Sequence, residues 1–194
     1  MRALTPEQVK RFLEAIKGHR WEALFTLALA TGMRRGELLG LKWQDITFSE
    51  GILQVRRVLS RLPRMMGKGY IEAEPKTNKS RRSIVLPAFA REALQQHRLR
   101  QAEARTGAGE VWNDRDLVFC TGTGLPLNPN RVVESLKNVL QEAGLPIIRF
   151  HDLRHSAATL LLGLGVHPKV VQELLGHSQM GMTLDVYSHV LPTM

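Results

Sequence analysis

The chain has 194 residues, 43% of them hydrophobic and 23% charged, which is the ordinary composition of a soluble globular protein. Its single cysteine excludes a disulfide within the chain and fits a reducing cytoplasm. Lysine and arginine exceed aspartate and glutamate by 27 − 18 = 9. No apolar run approaches the ~20 residues of a membrane span, and no signal peptide is expected because the sequence after Arg2 is polar.

The first part of the chain predicts three helices. Thr5 is a helix-capping residue, and Gln8 three positions later can complete a capping box, so a helix is expected to begin directly after Thr5. A second helix, apolar nearly throughout, is predicted over 21–31 and ends at Gly32. A short third helix is predicted over 35–41.

The character of the sequence changes after residue 50. Residues 51–58 and 82–86 are rich in β-branched side chains and bounded by turn formers, which predicts two strands of a small antiparallel sheet, with a turn expected at 75–78. The segment 56–82 contains nine basic and two acidic residues. Such a segment can bind a polyanion such as a DNA backbone, or form a solvated positive face.

The remainder of the chain returns to helix. The absence of any internal repeat or low-complexity linker predicts a single α+β domain over residues 1–194, mainly α-helical, with the small antiparallel β-sheet inserted near its N-terminal third. Further helices are predicted over 88–105, from Asn128 to Gly144, over 151–162, over a stretch that ends near 175, and over 180–187, with a loop at 106–116.

Four short blocks hold the residues with the most evident chemistry. In one of them, His151 and Arg154 are three positions apart and share a face of the predicted helix. An imidazole and a guanidinium together near a helix N-terminus suit an anionic group such as a phosphate. The blocks occupy residues 31–39, 151–155, 175–178 and 184–189.

Taken in this order, the blocks resemble the tyrosine recombinase (phage integrase) family, and most of all the integrases of phages and conjugative transposons. The resemblance covers nearly the whole chain, and the order and spacing of the blocks make it specific. It implies the catalytic-domain fold of that family and a site-specific DNA recombinase that cleaves and rejoins DNA strands. The matching positions are Arg34, Lys76, His151, Arg154, His177 and Tyr187.

In that family, two arginines and a histidine contact the scissile phosphate, and the resemblance assigns these roles to Arg34, Arg154 and His177. Guanidinium groups fit the nonbridging oxygens of a phosphodiester, whose transition state carries additional negative charge. Because the arginines supply this electrostatic stabilisation, no metal and no other cofactor is expected.

The resemblance also assigns the covalent chemistry. Tyr187 is the expected nucleophile, and a tyrosine hydroxyl with a pKa of about 10 needs help to lose its proton. His151 is the best candidate for the proton-accepting group, and the hairpin lysine Lys76 is expected to protonate the leaving 5′ oxygen. The intermediate implied is a covalent 3′-phosphotyrosyl ester, which allows religation without ATP.

Some of these assignments leave alternatives open. Lys79 could replace Lys76 as the hairpin lysine. Glu37 is interpreted as structural, orienting Arg34. Arg35 would lie about 100° around a helix from Arg34, so both cannot face one phosphate, and Arg35 is interpreted as a surface or backbone-binding residue.

A zinc site is the alternative for the histidines. His151 and His155 have a spacing that can bind zinc, and His177 could be a third ligand. Arg154 would repel a cation there, which disfavours the site, and His155 is expected to pack or hydrogen-bond inside the domain.

Three other functions remain open beside the recombinase: a type IB topoisomerase, a DNA-binding module without catalysis, and a metal-dependent hydrolase. The expected partner is double-stranded DNA, with a tetramer on two duplexes for the full-length protein and a monomer for this chain without DNA. The N-terminal core-binding domain of full-length members is expected to be absent, which predicts weak and strongly salt-dependent DNA binding. The expected location is cytoplasmic, without membrane association.

Overall fold

The computed structural model describes residues 3–62, 69–73, 81–163, 165–167, 169 and 171. The expected mainly helical α+β architecture is confirmed over these residues. The helices are α1 (Pro6–Ala15), α2 (Glu22–Thr31), α3 (Arg35–Leu39), α4 (Ala88–Ala108), α5 (Pro129–Glu142) and α6 (Phe150–Gly163). The strands are β1 (Ile46–Thr47), β2 (Ile52–Val55), β3 (Val58–Arg61), β4 (Tyr70–Ala73) and β5 (Arg82–Val85).

Local capping signals determine where the first helices begin and end. The Gln8 backbone N–H donates to Oγ1 of Thr5 at 3.3 Å, and the Thr5 backbone N–H donates to Oε1 of Gln8 at 3.0 Å, so the predicted capping box is confirmed. Helix α2 ends at Gly32, whose φ of 58° lies in the left-handed region that glycine adopts without steric cost.

Helix α2 lies at the centre of the hydrophobic core. Every residue of it from Ala23 to Thr31 is buried, and it packs against both α4 and α6. Phe25 contacts Phe12 of α1 and Phe150 of α6, with ring centroids 5.9 and 6.4 Å apart. Because α2 is enclosed on all sides, its C-terminal end is a fixed point from which residues 32–34 emerge.

Over the described residues, the strands form two sheets instead of the single sheet predicted. Strand β2 lies between β1 and β5 in a three-stranded antiparallel sheet, whereas β3 and β4 pair in a separate antiparallel ribbon. The segment 51–58, predicted as one strand, is divided at Arg56 and Arg57. At this break, Arg57 forms an ion pair with the buried carboxylate of Asp45.

Helix α3 approaches strand β3 closely because glycines occupy two contact positions, Gly36 within the helix and Gly40 directly after it. A Cβ atom on Gly36 would lie 2.7 Å from Cγ1 of Val58, and one on Gly40 would lie 2.9 Å from the backbone nitrogen of Leu59. Such distances are too short for real carbon contacts, so larger residues would push α3 away from the ribbon. The glycines therefore fix the position of α3 and of the residues at its start.

Helix α4 extends to Ala108, three residues beyond its predicted end, and a 3-10 turn at Gly109–Val111 follows within the segment expected to be a loop. In the part of the chain that the structure describes, none of the helices combines the length and apolarity needed to cross a bilayer.

Candidate functional site

A cavity of about 850 Å³ lies between the start of α3, helix α5 and the start of α6. Arg34, His151 and Arg154, which the sequence singled out from two distant blocks, all line it. The fold therefore brings together three of the six predicted site residues around one concave surface. Other cationic side chains in its lining are Arg35, Lys137 and Arg149.

Arg34 directly precedes α3 and is fixed by Glu37. The Arg34 backbone N–H donates to Oε2 of Glu37 at 2.9 Å, and Nη1 donates to Oε1 at 3.1 Å. The Arg34 side chain is nevertheless 52% exposed, whereas that of Glu37 is 1% exposed. This ion pair agrees with the orienting role expected for Glu37: it anchors the guanidinium while leaving half of the side chain open to the cavity.

The helical angle of about 100° expected between the Arg34 and Arg35 side chains does not apply. Arg34 has an extended backbone, with φ −69° and ψ 150°, because it caps the helix instead of belonging to it. Both arginines consequently line the cavity.

Glu37 has a second arginine partner in Arg82, at the start of β5. Arg82 donates from Nη1 to Oε1 of Glu37 at 3.2 Å and from Nη2 to Oε2 at 2.9 Å. Burial alone would raise the pKa of Glu37, but the hydrogen bonds and charge of Arg82, followed by the hydrogen bonds from Arg34, outweigh it and leave the pKa below its ordinary value. The carboxylate is therefore ionised at neutral pH.

Arg154 projects from α6 and is fixed by the end of α2. Its Nη1 donates to the carbonyl oxygen of Gly32 at 2.7 Å. Partial burial, and then the positive charges of Arg34 and Arg82, lower the pKa of Arg154 to about 10. The side chain still carries its charge at neutral pH. The mutual repulsion of these arginines indicates a site that would gain from binding an anion.

His151 lies in the first turn of α6 and packs edge-on against His155, with ring centroids 5.1 Å apart. Partial removal of the ring from water lowers the pKa of His151, because desolvation disfavours the charged form. The charges of His155 and Arg154 lower this pKa further. The imidazole is thus predominantly neutral at pH 7 and can accept a proton. The packing of His155 agrees with the internal role expected for it.

The start of α6 repeats the arrangement found at the start of α3. Arg149 directly precedes the helix, its backbone N–H and Nε both donate to Oδ2 of Asp152 at 3.0 Å, and Nη2 donates to Oδ1 at 2.9 Å. The side-chain hydrogen bonds from Arg149 lower the pKa of Asp152 to about 2. The N-terminus of this 14-residue helix, where the backbone dipole is positive, faces the cavity.

Several predicted residues lie outside the described residues: Lys76, its alternative Lys79, His177 and Tyr187. The zinc alternative required His177 as its third ligand. Within the ranges that the structure describes, no three His, Cys, Asp or Glu side chains are grouped so that they could hold a metal ion. The charge beside His151 is instead positive, which suits an anion.

Two contributions to the site were not predicted from the sequence: Arg149, which lines the cavity, and Arg82, which binds Glu37. Arg149 had an available signal, because Asp152 follows it at the same spacing that separates Arg34 from Glu37. Arg82 had none, since its partner lies 45 positions away and the neighbouring basic residues are equally plausible candidates in the sequence.

Comparison with protein families and curated relatives identifies similar proteins along the whole chain. The model of the phage integrase family matches residues 2–194. A tyrosine recombinase XerC-like protein of Caldanaerobacter subterraneus subsp. tengcongensis is 42% identical to this chain. The alignment is 194 positions long and covers 96% of this chain and 50% of that protein. The ICEBs1 integrase of Bacillus subtilis is 28% identical, with 99% of this chain and 51% of that protein covered. The chain therefore spans about half the length of these curated relatives.

Solved structures share the fold. The Tn1549 transposon integrase in complex with transposon right end DNA superposes with a TM-score of 0.77 at 26% identity, covering 97% of this chain and 62% of that chain. The XerH recombinase in a pre-cleavage complex with its difH substrate has a TM-score of 0.64 at 27% identity, with 96% of this chain and 50% of that chain covered. The XerA recombinase has a TM-score of 0.72 at 23% identity, with 99% of this chain and 61% of that chain covered. At this identity the likeness concerns the fold alone.

Proposed function

The chain belongs to the phage integrase family, and on that basis we propose that it is the catalytic part of a tyrosine-type site-specific DNA recombinase. The proposed substrate is double-stranded DNA, and the proposed reaction is strand cleavage and rejoining. Relatives described as integrases and as Xer recombinases support this class. The DNA complexes of the Tn1549 integrase and XerH support the substrate.

The observation that carries the proposal is the convergence of Arg34 and Arg154 on one cavity. We refer to these two arginines as the phosphate clamp. A phosphodiester repels nucleophiles through its negative charge, and that charge grows in the transition state. Two guanidiniums already held in place by Glu37 and Gly32 can stabilise this charge without first being reorganised, and loss of one such donor typically costs ~10²–10³ in rate.

In the proposed reaction, the Tyr187 oxygen attacks the scissile phosphorus and forms a 3′-phosphotyrosyl bond while the bond to the 5′ oxygen breaks. Neutral His151 accepts the tyrosine proton, and Lys76 donates a proton to the departing 5′ oxygen, which leaves as a hydroxyl. His177 donates a hydrogen bond to a phosphate oxygen. Attack by a 5′ hydroxyl on the phosphotyrosyl ester reverses these steps, so rejoining needs no external energy source.

The assembly is part of the same proposal. Strand exchange requires two duplexes, and we propose a tetramer on two DNA molecules for the complete recombinase and a monomer for this chain without DNA. We propose the cytoplasm as its place of action.

The direct test uses a suicide substrate, a target duplex with a nick placed so that the short cleaved strand diffuses away and religation is blocked. The 194-residue chain should form a protein–DNA adduct that survives denaturing electrophoresis. Tyr187→Phe should form none while binding DNA normally. Tyr70→Phe is a matched control, because it removes the hydroxyl of the only other tyrosine in the sequence, and it should retain the adduct. DNA binding without any adduct from the wild-type chain tested in its full-length context would contradict the proposal.

The same preparation separates the alternative functions. Relaxation of supercoiled plasmid without a target site would instead indicate a type IB topoisomerase. Loss of activity on treatment with EDTA, together with stoichiometric zinc, would instead indicate a metal-dependent hydrolase.

A further inference from the structure

We propose that Arg82 is a positioning residue for the phosphate clamp, and that it acts on Arg34 through the shared carboxylate of Glu37. The inference rests on the proposed function, because it assigns Arg82 a task in phosphate recognition by the same cavity. It gives a role to a residue that neither lines the cavity nor belongs to the set predicted from the sequence.

The geometry of the carboxylate is the first support. Arg82 reaches both oxygens of Glu37 with parallel hydrogen bonds of 3.2 and 2.9 Å, the fork-like arrangement in which guanidinium and carboxylate match best. Arg34 also uses both oxygens, one through Nη1 and the other through its backbone N–H. Each Glu37 oxygen therefore receives one bond from each arginine, and the orientation of the carboxylate that Arg34 encounters is set by Arg82.

The distribution of burial separates the tasks of the two arginines. The side chains of Arg82 and Glu37 are 2% and 1% exposed, whereas that of Arg34 is 52% exposed. Arg82 cannot reach a substrate from this position. Its hydrogen bonds reach Arg34 only through the carboxylate of Glu37, while Arg34 remains accessible from the cavity.

The charges explain why Arg34 needs a second arginine behind its partner. A buried carboxylate that had only Arg34 as its partner would draw that guanidinium into a complete ion pair and compete with phosphate for it. Arg82 takes up part of the carboxylate's charge and leaves more of Arg34's charge for a substrate. Its own charge also acts on Arg154, so both members of the clamp respond to Arg82.

The first experiment compares two DNA substrates. One carries a normal scissile phosphate, and the other carries a methylphosphonate, whose missing charge makes the positive charge of Arg34 less necessary. Arg82→Met should slow adduct formation on the phosphate substrate by at least ~10-fold, within the range for a lost preorganised donor, but by less than about 3-fold on the methylphosphonate, measured on protein shown to be folded by circular dichroism.

Asp45→Asn is the matched control, because Asp45 is a second buried carboxylate with an arginine partner and does not line the cavity. It should destabilise the protein but change both rates by the same factor. An Arg82→Met variant that behaves like this control, or that cleaves the phosphate substrate as fast as the wild type, would overturn the proposal.

A second measurement does not depend on cleavage. Inorganic phosphate is titrated into protein labelled with ¹⁵N-arginine, and the Nε–H signal of Arg34, assigned with Arg34→Lys, is followed by NMR. Arg82→Met should shift this signal and weaken its response to phosphate at least several-fold. An unchanged signal and response would overturn the positioning role. The wild-type chain could form no adduct while the Arg34 signals of the wild type and Arg82→Met still differ as expected. In that case the proposed function fails and the positioning role of Arg82 stands.

Discussion

Arg154 donates a hydrogen bond of 2.7 Å from Nη1 to the carbonyl oxygen of Gly32, 122 positions earlier in the chain. The bond joins α6 to the end of the central helix α2, two residues before Arg34. Because α2 is buried, the spacing between the two arginines is set by the packed interior and is present before any substrate binds. This preorganisation is the condition under which electrostatic stabilisation of a transition state is most effective.

The first prediction concerns Arg154→Lys. Lysine keeps the positive charge, but its single ammonium cannot hold the Gly32 carbonyl and also grip a phosphate with the planar geometry of a guanidinium. We expect adduct formation to fall by ~10²-fold, with DNA affinity reduced much less. Single-turnover assays at saturating suicide substrate measure this, and Arg100→Lys, which alters an ion pair with Glu22 outside the cavity lining, is the control. Equal rates for Arg154→Lys and the wild type would contradict the clamp.

The second prediction concerns pH and His151. Partial burial and the neighbouring charges lower its pKa below the ordinary value of 6.5, so the proton-accepting neutral form persists to lower pH than for a free histidine. The adduct rate should therefore fall to half of its plateau value at a pH below 6.5. His151→Gln should lose this acidic limb and react ~10²-fold more slowly. A limb centred above pH 6.5, or one that persists in His151→Gln, would count against His151 as the proton acceptor.

The third prediction concerns acid stability. Asp152 has a pKa of about 2 in the folded protein, below its ordinary value of 3.8, because Arg149 donates hydrogen bonds to its ionised form. A lowered folded pKa stabilises the protein above the unfolded value, and this contribution is lost as the pH falls from about 4 towards 2.

Asp152→Asn should accordingly lower the free energy of unfolding by about 1–2 kcal/mol at pH 7, and the difference should shrink below pH 4. Urea denaturation across this range measures it. Asp114→Asn, which removes an acid from an exposed ion pair with Arg105, should cost less than about 0.5 kcal/mol. A difference for Asp152→Asn that does not change with pH would show that the carboxylate charge is not the cause.

The fourth prediction concerns the contact between α3 and β3. In Gly40→Ala the new Cβ would lie 2.9 Å from the backbone nitrogen of Leu59, and a strand backbone cannot move aside as a flexible side chain can. We expect a loss of about 1–3 kcal/mol in unfolding free energy, together with slower cleavage because Arg34 and Glu37 shift with the helix.

Gly107→Ala is the matched control for this change. Gly107 lies in α4 with nothing within 4 Å of an added Cβ, so alanine there should stabilise the protein, by about 0.5 kcal/mol. Thermal unfolding compares the two variants, and a Gly40→Ala protein as stable as the wild type would show that α3 can move without cost.

The parts of the fold that were predictable from the sequence depend on interactions between near neighbours. Thr5 and Gln8 form their capping box within one turn, and Gly32 ends α2 through its own backbone conformation. The pairing of Glu37 with Arg34 was also accessible, because the two residues are three positions apart at the start of a helix.

The parts that were not predictable depend on distant contacts. The segment 51–58 has the composition of one strand, and nothing within it reveals that Arg57 pairs with Asp45 or that β2 and β3 belong to different sheets. The bonds from Arg154 to Gly32 and from Arg82 to Glu37 span 122 and 45 positions, so only the packed chain discloses them.

The buried pair of Glu37 and Arg82 has a consequence for how such a sequence can evolve. A substitution at Glu37 alone removes the buried carboxylate that both Arg34 and Arg82 bind, and one at Arg82 alone removes two hydrogen bonds to that carboxylate. Either change weakens a buried charge pair, which is destabilising, and also disturbs Arg34. Descendants of this sequence should therefore alter positions 37 and 82 together or keep both. A trace of this constraint should be visible as covariation between the two positions among recombinases, although one belongs to a helix and the other to a strand.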